Sequence, residues 1–264
     1  MITAILIFLI VSSIYILMIL PRLVNRADMD GLLDEYAHRG LHGVDLPENS
    51  MGAFKAAMDK GVGIELDIQL SSDGIPMVFH DDSLKRICGI DAKVSDYTAD
   101  ELKKIRLLDS EYTIPTFEEV LHEIDGRVSL LVEFKPGNWE LCYKGCDLLD
   151  EYKGRFCVES FDSILLGKIK KHRPKFARGQ LVGNMFRSPK PKNLILKFLL
   201  TFMMLNFISR PDFIAVDKAL KHNLSIGICR RIVKIPVLVW TIKNEDEYEK
   251  SKREGLVPIF DNYN

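Results

Sequence analysis

The chain has 264 residues and a formal net charge of −1. This length is sufficient for one large domain with a well-buried core. The nearly balanced charge provides no overall basic field, which argues against nucleic acid as a partner.

The chain begins with an uncharged apolar run from Ile2 to Leu20. A helix of that length extends roughly 28 Å at about 1.5 Å per residue, close to the thickness of a bilayer core. The alternative, a cleaved signal peptide, would show a basic amino-terminal region, a shorter apolar core and a small-residue cleavage site, and none is evident. We therefore predict a transmembrane anchor over residues 1–22 and a linker over residues 23–34.

Two features indicate the side of the membrane on which the rest of the chain lies. Arg22 and Arg26 follow the apolar run, and the positive-inside tendency then places the following domain in the cytoplasm of a single-pass cell-membrane protein. The five cysteines are odd in number and include no C-x-x-C pair, so we expect reduced thiols, which also favours a cytosolic domain.

The predicted domain, residues 35–264, opens with charged residues inside apolar, strand-like sequence. A strand over residues 35–39 ends in His38-Arg39. A helix capped by Ser50 and ended by Gly61 follows it.

A second strand is predicted from Gly63 to Leu70, with Glu65 and Asp67 on one face because side chains alternate along a strand. A surface strand whose polar face meets water is the alternative interpretation. The sequence that follows favours a site, since a tight turn at residues 72–74 and a returning strand over residues 75–79 bring His80 towards the acids.

The remaining sequence alternates between helical and strand-like segments. A polar helical excursion is expected over residues 91–108, and Thr116 and Glu119 have the spacing of a capping box at the start of the next helix. A buried strand over residues 128–134 then carries Glu133 and Lys135 on one face. Further strands are predicted over residues 156–159, 178–182, 213–216, 237–240 and 257–260.

This alternation favours a closed parallel α/β barrel, the TIM (β/α)8 fold with a small helical insertion, over an open doubly wound sheet. Nine candidate strands compete for eight places, so one arm of the hairpin over residues 66–79 is expected outside the barrel wall.

The segment from Asn193 to Ser209 is apolar on every side of a helix, with Lys197 its only charge. We favour an interfacial or membrane-dipping helix inserted after the sixth strand. A helix packed on the barrel and a second membrane span are the alternatives. The side chains of Lys190, Lys192 and Lys197 could meet anionic headgroups.

Three carboxylates arrive from two predicted strands: Glu65, Asp67 and Glu133. They predict an oxygen-ligand cage for a divalent cation, Mg²⁺ or Ca²⁺. Arg39 and Lys135 add positive charge, and acids surrounded by cations indicate a metal-bound anion, most simply a phosphate ester. His38 and His80 could serve as general base and general acid near neutral pH.

Ordered motifs between residues 36 and 260 closely resemble the glycerophosphodiester phosphodiesterase family. The matching segments are His38-Arg39-Gly40, Pro47-Glu48-Asn49-Ser50, Glu65-Leu66-Asp67, Ser72-Asp73-Gly74, His80-Asp81, residues 114–121, Glu133-Phe134-Lys135, Ser160-Phe161-Asp162 and Trp240-Thr241. The resemblance implies a TIM barrel that hydrolyses a phosphodiester to an alcohol and a phosphomonoester. It also implies that a neighbouring hydroxyl of the substrate attacks phosphorus, giving a cyclic intermediate that water opens.

The resemblance also implies a role for each of eight positions. By this analogy a divalent cation is held by Glu65, Asp67 and Glu133, protons are transferred by His38 and His80, phosphate is held by Arg39 and Lys135, and the pocket is lined by Trp240. The substrate could be a soluble glycerophosphodiester such as glycerophosphocholine, a lysophospholipid cleaved in a phospholipase D sense, or a glycerophosphate polymer. Oligomeric state is not indicated.

Two features depart from the family pattern. The sequence reads Phe260-Asp261-Asn262-Tyr263 where the family often has Thr-Asp-x-Pro, so part of the pocket wall is expected to differ. The apolar segment over residues 193–209 is not found in the common soluble members and suggests access to substrate from the bilayer. The alternative function is a non-catalytic, membrane-anchored barrel that binds phospholipid headgroups or a protein partner. Such a barrel would be expected to have lost a histidine or an acid.

Overall fold

The computed structural model describes residues 1–189 and 191–262, so the headgroup contact predicted for Lys190 lies outside the described residues. Eight parallel strands close into a barrel, and one further strand, β3, pairs antiparallel with β2 outside the wall. The strands are β1 (Tyr36–Ala37), β2 (Gly63–Leu70), β3 (Pro76–Val78), β4 (Leu130–Phe134), β5 (Phe156–Ser160), β6 (Arg178–Val182), β7 (Phe213–Asp217), β8 (Val237–Ile242) and β9 (Val257–Phe260). The predicted TIM barrel is confirmed, including the hairpin arm outside it.

Helices separate the strands, and several begin and end at the residues that the sequence indicates. The α-helices are α1 (Ile2–Ile19), α2 (Met51–Lys60), α3 (Lys85–Cys88), α4 (Ala99–Leu102), α5 (Phe117–Ile124), α6 (Trp139–Glu151), α7 (Ser163–His172), α8 (Leu194–Thr201), α9 (Asn206–Ser209), α10 (Leu224–Arg231) and α11 (Glu245–Arg253). The Ser50 side chain accepts a hydrogen bond at the start of α2, and Gly61 ends that helix at φ 71°. Thr116 and Glu119 form the expected capping box of α5.

The interior of the barrel has an apolar lower part and an acidic upper part. Side chains near the amino ends of the strands, among them Tyr36, Leu131 and Phe213, form a buried apolar cluster. Above this cluster, towards the carboxyl ends of the strands, three acids lie side by side on adjacent strands. In the strand register Asp67 is opposite Glu133, and Glu133 is opposite Glu159. The parallel register therefore gathers charge at the end of the barrel where TIM-barrel sites occur.

The helical excursion predicted over residues 91–108 is wrong as a single helix. The structure has one 3₁₀ turn at Val94–Asp96 and the short helix α4 in this range. Leu84, Leu102 and Leu107 are buried in a small separate core beneath β3. Packing around this core requires turns that a continuous helix would not allow.

The single helix predicted over residues 193–209 is also wrong, because the chain forms α8, a turn and α9. Met203 lies in the turn with φ 57° and points into the main core, where it is 2% exposed. Burying this side chain breaks the helix. The two pieces have eight and four residues, so neither is long enough for the second membrane span weighed above.

Both α1 and the segment after it contact the barrel. Within the described ranges, α1 is the one helix long and apolar enough to cross a membrane; a signal sequence near the amino terminus would have the same properties. Residues 23–34 run beneath the barrel. Leu32 is buried in the lower apolar cluster, and its carbonyl accepts a hydrogen bond of 3.0 Å from the Tyr36 hydroxyl. This segment therefore plugs the amino end of the barrel.

Candidate active site

The structure brings the three predicted carboxylates together. Glu65 and Asp67 come from β2 and Glu133 from β4, all three are buried, and each offers an oxygen within 4.8 Å of the other two. Hard carboxylate oxygens in this number are the donors that Mg²⁺ and Ca²⁺ accept. The cluster could hold a divalent cation.

Two cationic side chains face this carboxylate cluster. The Lys135 ammonium lies 2.7 Å from Asp67 Oδ1 and 2.9 Å from Glu133 Oε1. Arg39 places its Nε 3.6 Å from Asp67 Oδ2, while its backbone N–H donates to Glu65 Oε2 at 2.9 Å. Arg39 has φ 56°, a conformation that non-glycine residues adopt rarely and mostly where surrounding contacts impose it.

Burial and neighbouring charges give the three carboxyl groups of the cluster different pKa values. Burial, reinforced by the neighbouring acids, raises the pKa of Glu65 well above its usual range. Burial also raises the pKa of Glu133, to about 7, although Lys135 opposes it. Burial acts in the same direction on Asp67, but the positive charge of Lys135, His80 and Arg39 outweighs it and lowers the pKa of Asp67.

These observations test whether the residues fit a cation. Apart from the ion pairs to the Lys135 ammonium, Asp67 Oδ1 and Glu133 Oε1 have no hydrogen-bond partner among the described residues. Buried carboxylate oxygens without donors are costly unless positive charge compensates them. The Lys135 ammonium supplies that charge for these two oxygens, and the three carboxylates together offer the donor set of a divalent-cation site.

Both candidate histidines are held in the same way. His38 Nδ1 lies 2.7 Å from Asp261 Oδ1, and His80 Nδ1 lies 2.6 Å from Asp81 Oδ1. A carboxylate only accepts, so each Nδ1 carries the proton and each Nε2 is left for exchange with a substrate. Burial lowers the pKa of both imidazoles, while Asp261 acts to raise that of His38.

The Pro47–Ser50 motif supports the site from one side. Glu48 accepts a hydrogen bond of 2.7 Å from Arg39 and is also paired with Arg86. Asn49 is buried with φ 55° and donates its side-chain amide to Asp67 Oδ2 at 2.8 Å. Both residues belong to the Pro47–Ser50 family motif, from which the sequence alone indicated no role for them.

Two further site residues were missed. Glu159 is 1% exposed, and its Oε2 has no partner in the described part of the chain. The sequence could have identified Glu159, because it is an acid at the carboxyl end of a predicted strand, as Glu133 is. Asp261 was noted only as part of a departing motif, and its contact with His38 joins residues 223 positions apart.

A cavity of about 210 Å³ opens at the carboxyl end of the barrel. Its lining includes His38, His80, Glu65, Glu133, Glu159 and Trp240. Trp240 packs edge-on against Phe161, with ring centroids 5.9 Å apart. A larger cleft of about 670 Å³ lies at the amino end of the barrel and contains none of these groups.

Acids, cations and two aspartate-held imidazoles in one cavity of a TIM barrel define the class of protein, a barrel with a site suited to a metal-bound anion. The sequence matches the Glycerophosphoryl diester phosphodiesterase family over residues 38–263. The chain belongs to this family.

Individual relatives agree with this assignment. A glycerophosphodiester phosphodiesterase of Bacillus altitudinis is 40% identical over 119 residues, which cover 42% of this chain and 48% of the relative. A glycerophosphodiester phosphodiesterase of Caldanaerobacter subterraneus subsp. tengcongensis is 34% identical over 159 residues, 55% of this chain and 65% of the relative. The alignments thus span about half to two thirds of these curated relatives.

The fold has a close match among solved structures. An Oleispira antarctica phosphodiesterase, solved in complex with the product sn-glycerol-3-phosphate, aligns with a TM-score of 0.70 and 25% identity. The alignment covers 87% of this chain and 93% of that one. The similarity therefore extends over nearly the whole barrel.

Proposed function

We propose that this protein is a membrane-anchored, divalent-cation-dependent hydrolase of a glycerophosphodiester or a lysophospholipid, releasing an alcohol and a phosphomonoester. One observation carries the proposal: two imidazoles, each fixed at Nδ1 by an aspartate, line the same cavity as Glu65 and Glu133 of the carboxylate cluster. Two such groups can exchange protons with opposite ends of one ester. Family membership supports the same substrate class.

The cation would be held by Glu65, Asp67 and Glu133, and the oxygen-only donor set suits Mg²⁺ or Ca²⁺. When bound, such an ion polarises phosphoryl oxygens as a Lewis acid. Arg39 and Lys135 would bind and orient the phosphate, since both place positive charge beside the cluster. Trp240 would form one wall of the pocket.

The two histidines would divide the proton transfers. One neutral imidazole accepts, at Nε2, the proton of the attacking hydroxyl, which by analogy with the family belongs to the substrate. The other imidazole, protonated, donates from Nε2 to the leaving alkoxide. Asp261 and Asp81 hold the rings so that Nε2 is the reactive nitrogen in both.

The test measures release of glycerol phosphate or choline from soluble glycerophosphocholine by the full chain in detergent, with and without a chelator. His38→Ala and His80→Ala should each lower turnover by about two to four orders of magnitude. His122→Ala, which removes an exposed histidine of α5, is the matched control. Turnover that survives chelation would refute the cation dependence, and turnover that is equal in His38→Ala and His122→Ala would refute the proton-transfer role of His38. No turnover by the wild-type chain with added cation would favour the non-catalytic barrel.

The membrane part of the proposal rests on α1 being retained. Contacts between α1 and the barrel support this, because the Ile19 carbonyl accepts hydrogen bonds from Asn206 and Cys229. Arg22, Arg26 and five free thiols support a cytoplasmic barrel at the cell membrane. Intact mass measurement of protein from the membrane fraction tests retention, since a cleaved chain would lack the mass of α1.

A further inference from the structure

The direction of α1 relative to the barrel follows from hydrogen bonds at two levels. At the upper level, the Tyr15 hydroxyl lies 2.6 Å from Ser225 Oγ, which donates to the carbonyl of Phe202 at 2.7 Å. At the middle level, the Ile19 carbonyl accepts from Asn206 Nδ2 at 3.1 Å.

A third hydrogen bond, just after the end of α1, establishes the direction in which this helix runs. The backbone N–H of Arg22 donates to the Pro211 carbonyl at 3.0 Å, just before β7 begins. The end of α1 and residues 202–211 therefore run side by side in the same direction, towards the amino end of the barrel. It follows that the start of α1 points towards the carboxyl end, where the site lies.

Most of α1 continues beyond these contacts. Residues 1–11 are exposed throughout, whereas Ser12, Tyr15 and Ile19, which share one helical face, are partly or fully buried. At about 1.5 Å per residue, the exposed part projects roughly 16 Å past the last contact. The apolar span thus leaves the protein on the same side as the mouth of the candidate active site.

Exposed apolar side chains lie on the same side of the barrel. We define the rim patch as Phe186, Leu194, Ile195, Phe198 and Leu224, which are 46–72% exposed. Four of them belong to the segment that leaves β6 at its carboxyl end, and Leu224 begins α10. The end of α8 is tied to that helix, since Asn223 Nδ2 donates to the Thr201 carbonyl at 3.3 Å.

We propose that the rim patch lies in the interfacial layer of the bilayer and that the active-site mouth opens towards the membrane. This rests on the proposed function and narrows it: the substrate is a phosphodiester whose acyl chain stays in the lipid. The occupant is the bilayer because the free part of α1 has no charged side chain and points past the rim patch. Since it projects only roughly 16 Å beyond the barrel, about half of a 30 Å core, it enters the lipid only if the rim patch lies at the headgroups.

Charge beside the rim patch agrees with this placement. Arg187 and Lys192 are exposed on the same segment as α8. Basic side chains next to inserted apolar residues strengthen attachment to anionic leaflets. The rim patch and the basic side chains beside it therefore provide the two features of an interfacial surface, exposed apolar groups and positive charge.

A fluorescence experiment tests the orientation. The environment-sensitive dye NBD is attached to Phe198→Cys or Ile232→Cys in a Cys88→Ser background, because the other four cysteines are buried. Ile232 is 75% exposed at the far end of α10, so it is the matched control. In anionic vesicles containing lipids with quenchers on the acyl chains, we expect at least about threefold stronger quenching at position 198. Equal or stronger quenching at position 232 would overturn the proposal.

Activity tests the substrate. Ile195→Glu with Phe198→Glu should lower turnover of lysophosphatidylcholine embedded in vesicles about tenfold and leave turnover of soluble glycerophosphocholine within about twofold. Ile232→Glu should leave both unchanged. Equal loss on both substrates would refute the lipid-access role. If the wild-type protein hydrolyses neither substrate, the proposed function fails, and the quenching contrast still decides the orientation.

Discussion

Replacing Asp261 by Asn should show which of the two proposed proton transfers, if either, depends on His38. The Asp261 carboxylate accepts a 2.7 Å hydrogen bond from His38 Nδ1 and favours the protonated ring. The Asn oxygen can still accept this hydrogen bond, so the tautomer is kept while the negative charge is lost. The substitution therefore lowers the pKa of His38 further.

The magnitude follows from the exposure of the pair. Hydrogen bonds to charged groups are worth about 1.5–3 kcal/mol, and the lower end applies here because the two side chains are 18% and 24% exposed to screening water. Since about 1.4 kcal/mol equals one pKa unit, we expect a shift of about one unit to lower pH.

The assay is the pH dependence of kcat/KM with soluble glycerophosphocholine at one saturating metal concentration. If His38 is the base, only the acidic limb moves to lower pH; if it is the acid, only the alkaline limb does. Asp81→Asn is the matched variant for His80 and should move the opposite limb. If both variants move the same limb, or if neither limb moves, the two histidines do not divide the proton transfers in this way.

Three further predictions concern the carboxylate cluster. Glu159→Gln removes a buried acid, so the metal-free protein should melt at a higher temperature. The affinity for the cation, measured by calorimetry, should fall about tenfold. An unchanged affinity would exclude Glu159 from the cation site. Lys135→Met should destabilise the metal-free protein by about 3–5 kcal/mol in denaturant unfolding and enlarge the stabilisation by added cation, and an unchanged midpoint would contradict the ion pairs. Asn49→Ala should cost about 1–2 kcal/mol in the same unfolding measurement. Asn49→Gly relieves the positive φ without restoring the amide, so wild-type stability in that variant would show that backbone conformation alone matters.

The sequence allowed prediction of the barrel and much of the candidate site because both depend on local patterns. The acids of β2 at positions i and i+2 identify a face, and the turn after that strand fixes where His80 returns. Glu159 could have been found by the same rule, because the strand register places it beside Glu133. Asp261 could not, since no local pattern links it to a histidine at the other end of the barrel domain.

The two incorrect helices have a common physical cause. Residues 99–104 have strong helix formers, yet the apolar residues around them pack into a separate core under β3. In the apolar segment over residues 193–209, burial of Met203 breaks a helix that local composition favours. In both cases tertiary packing outweighs intrinsic propensity, which a single sequence does not reveal.

The two-residue strand β1 has a consequence for the order of events during synthesis. It must pair with both β2 and β9, and His38 donates its backbone N–H to Phe260 while its ring meets Asp261. The ribosome makes Asp261 223 residues after His38. The nascent chain therefore cannot form the His38–Asp261 pair until β9 has been completed, so the candidate site stays unfinished while the rest of the barrel is being made.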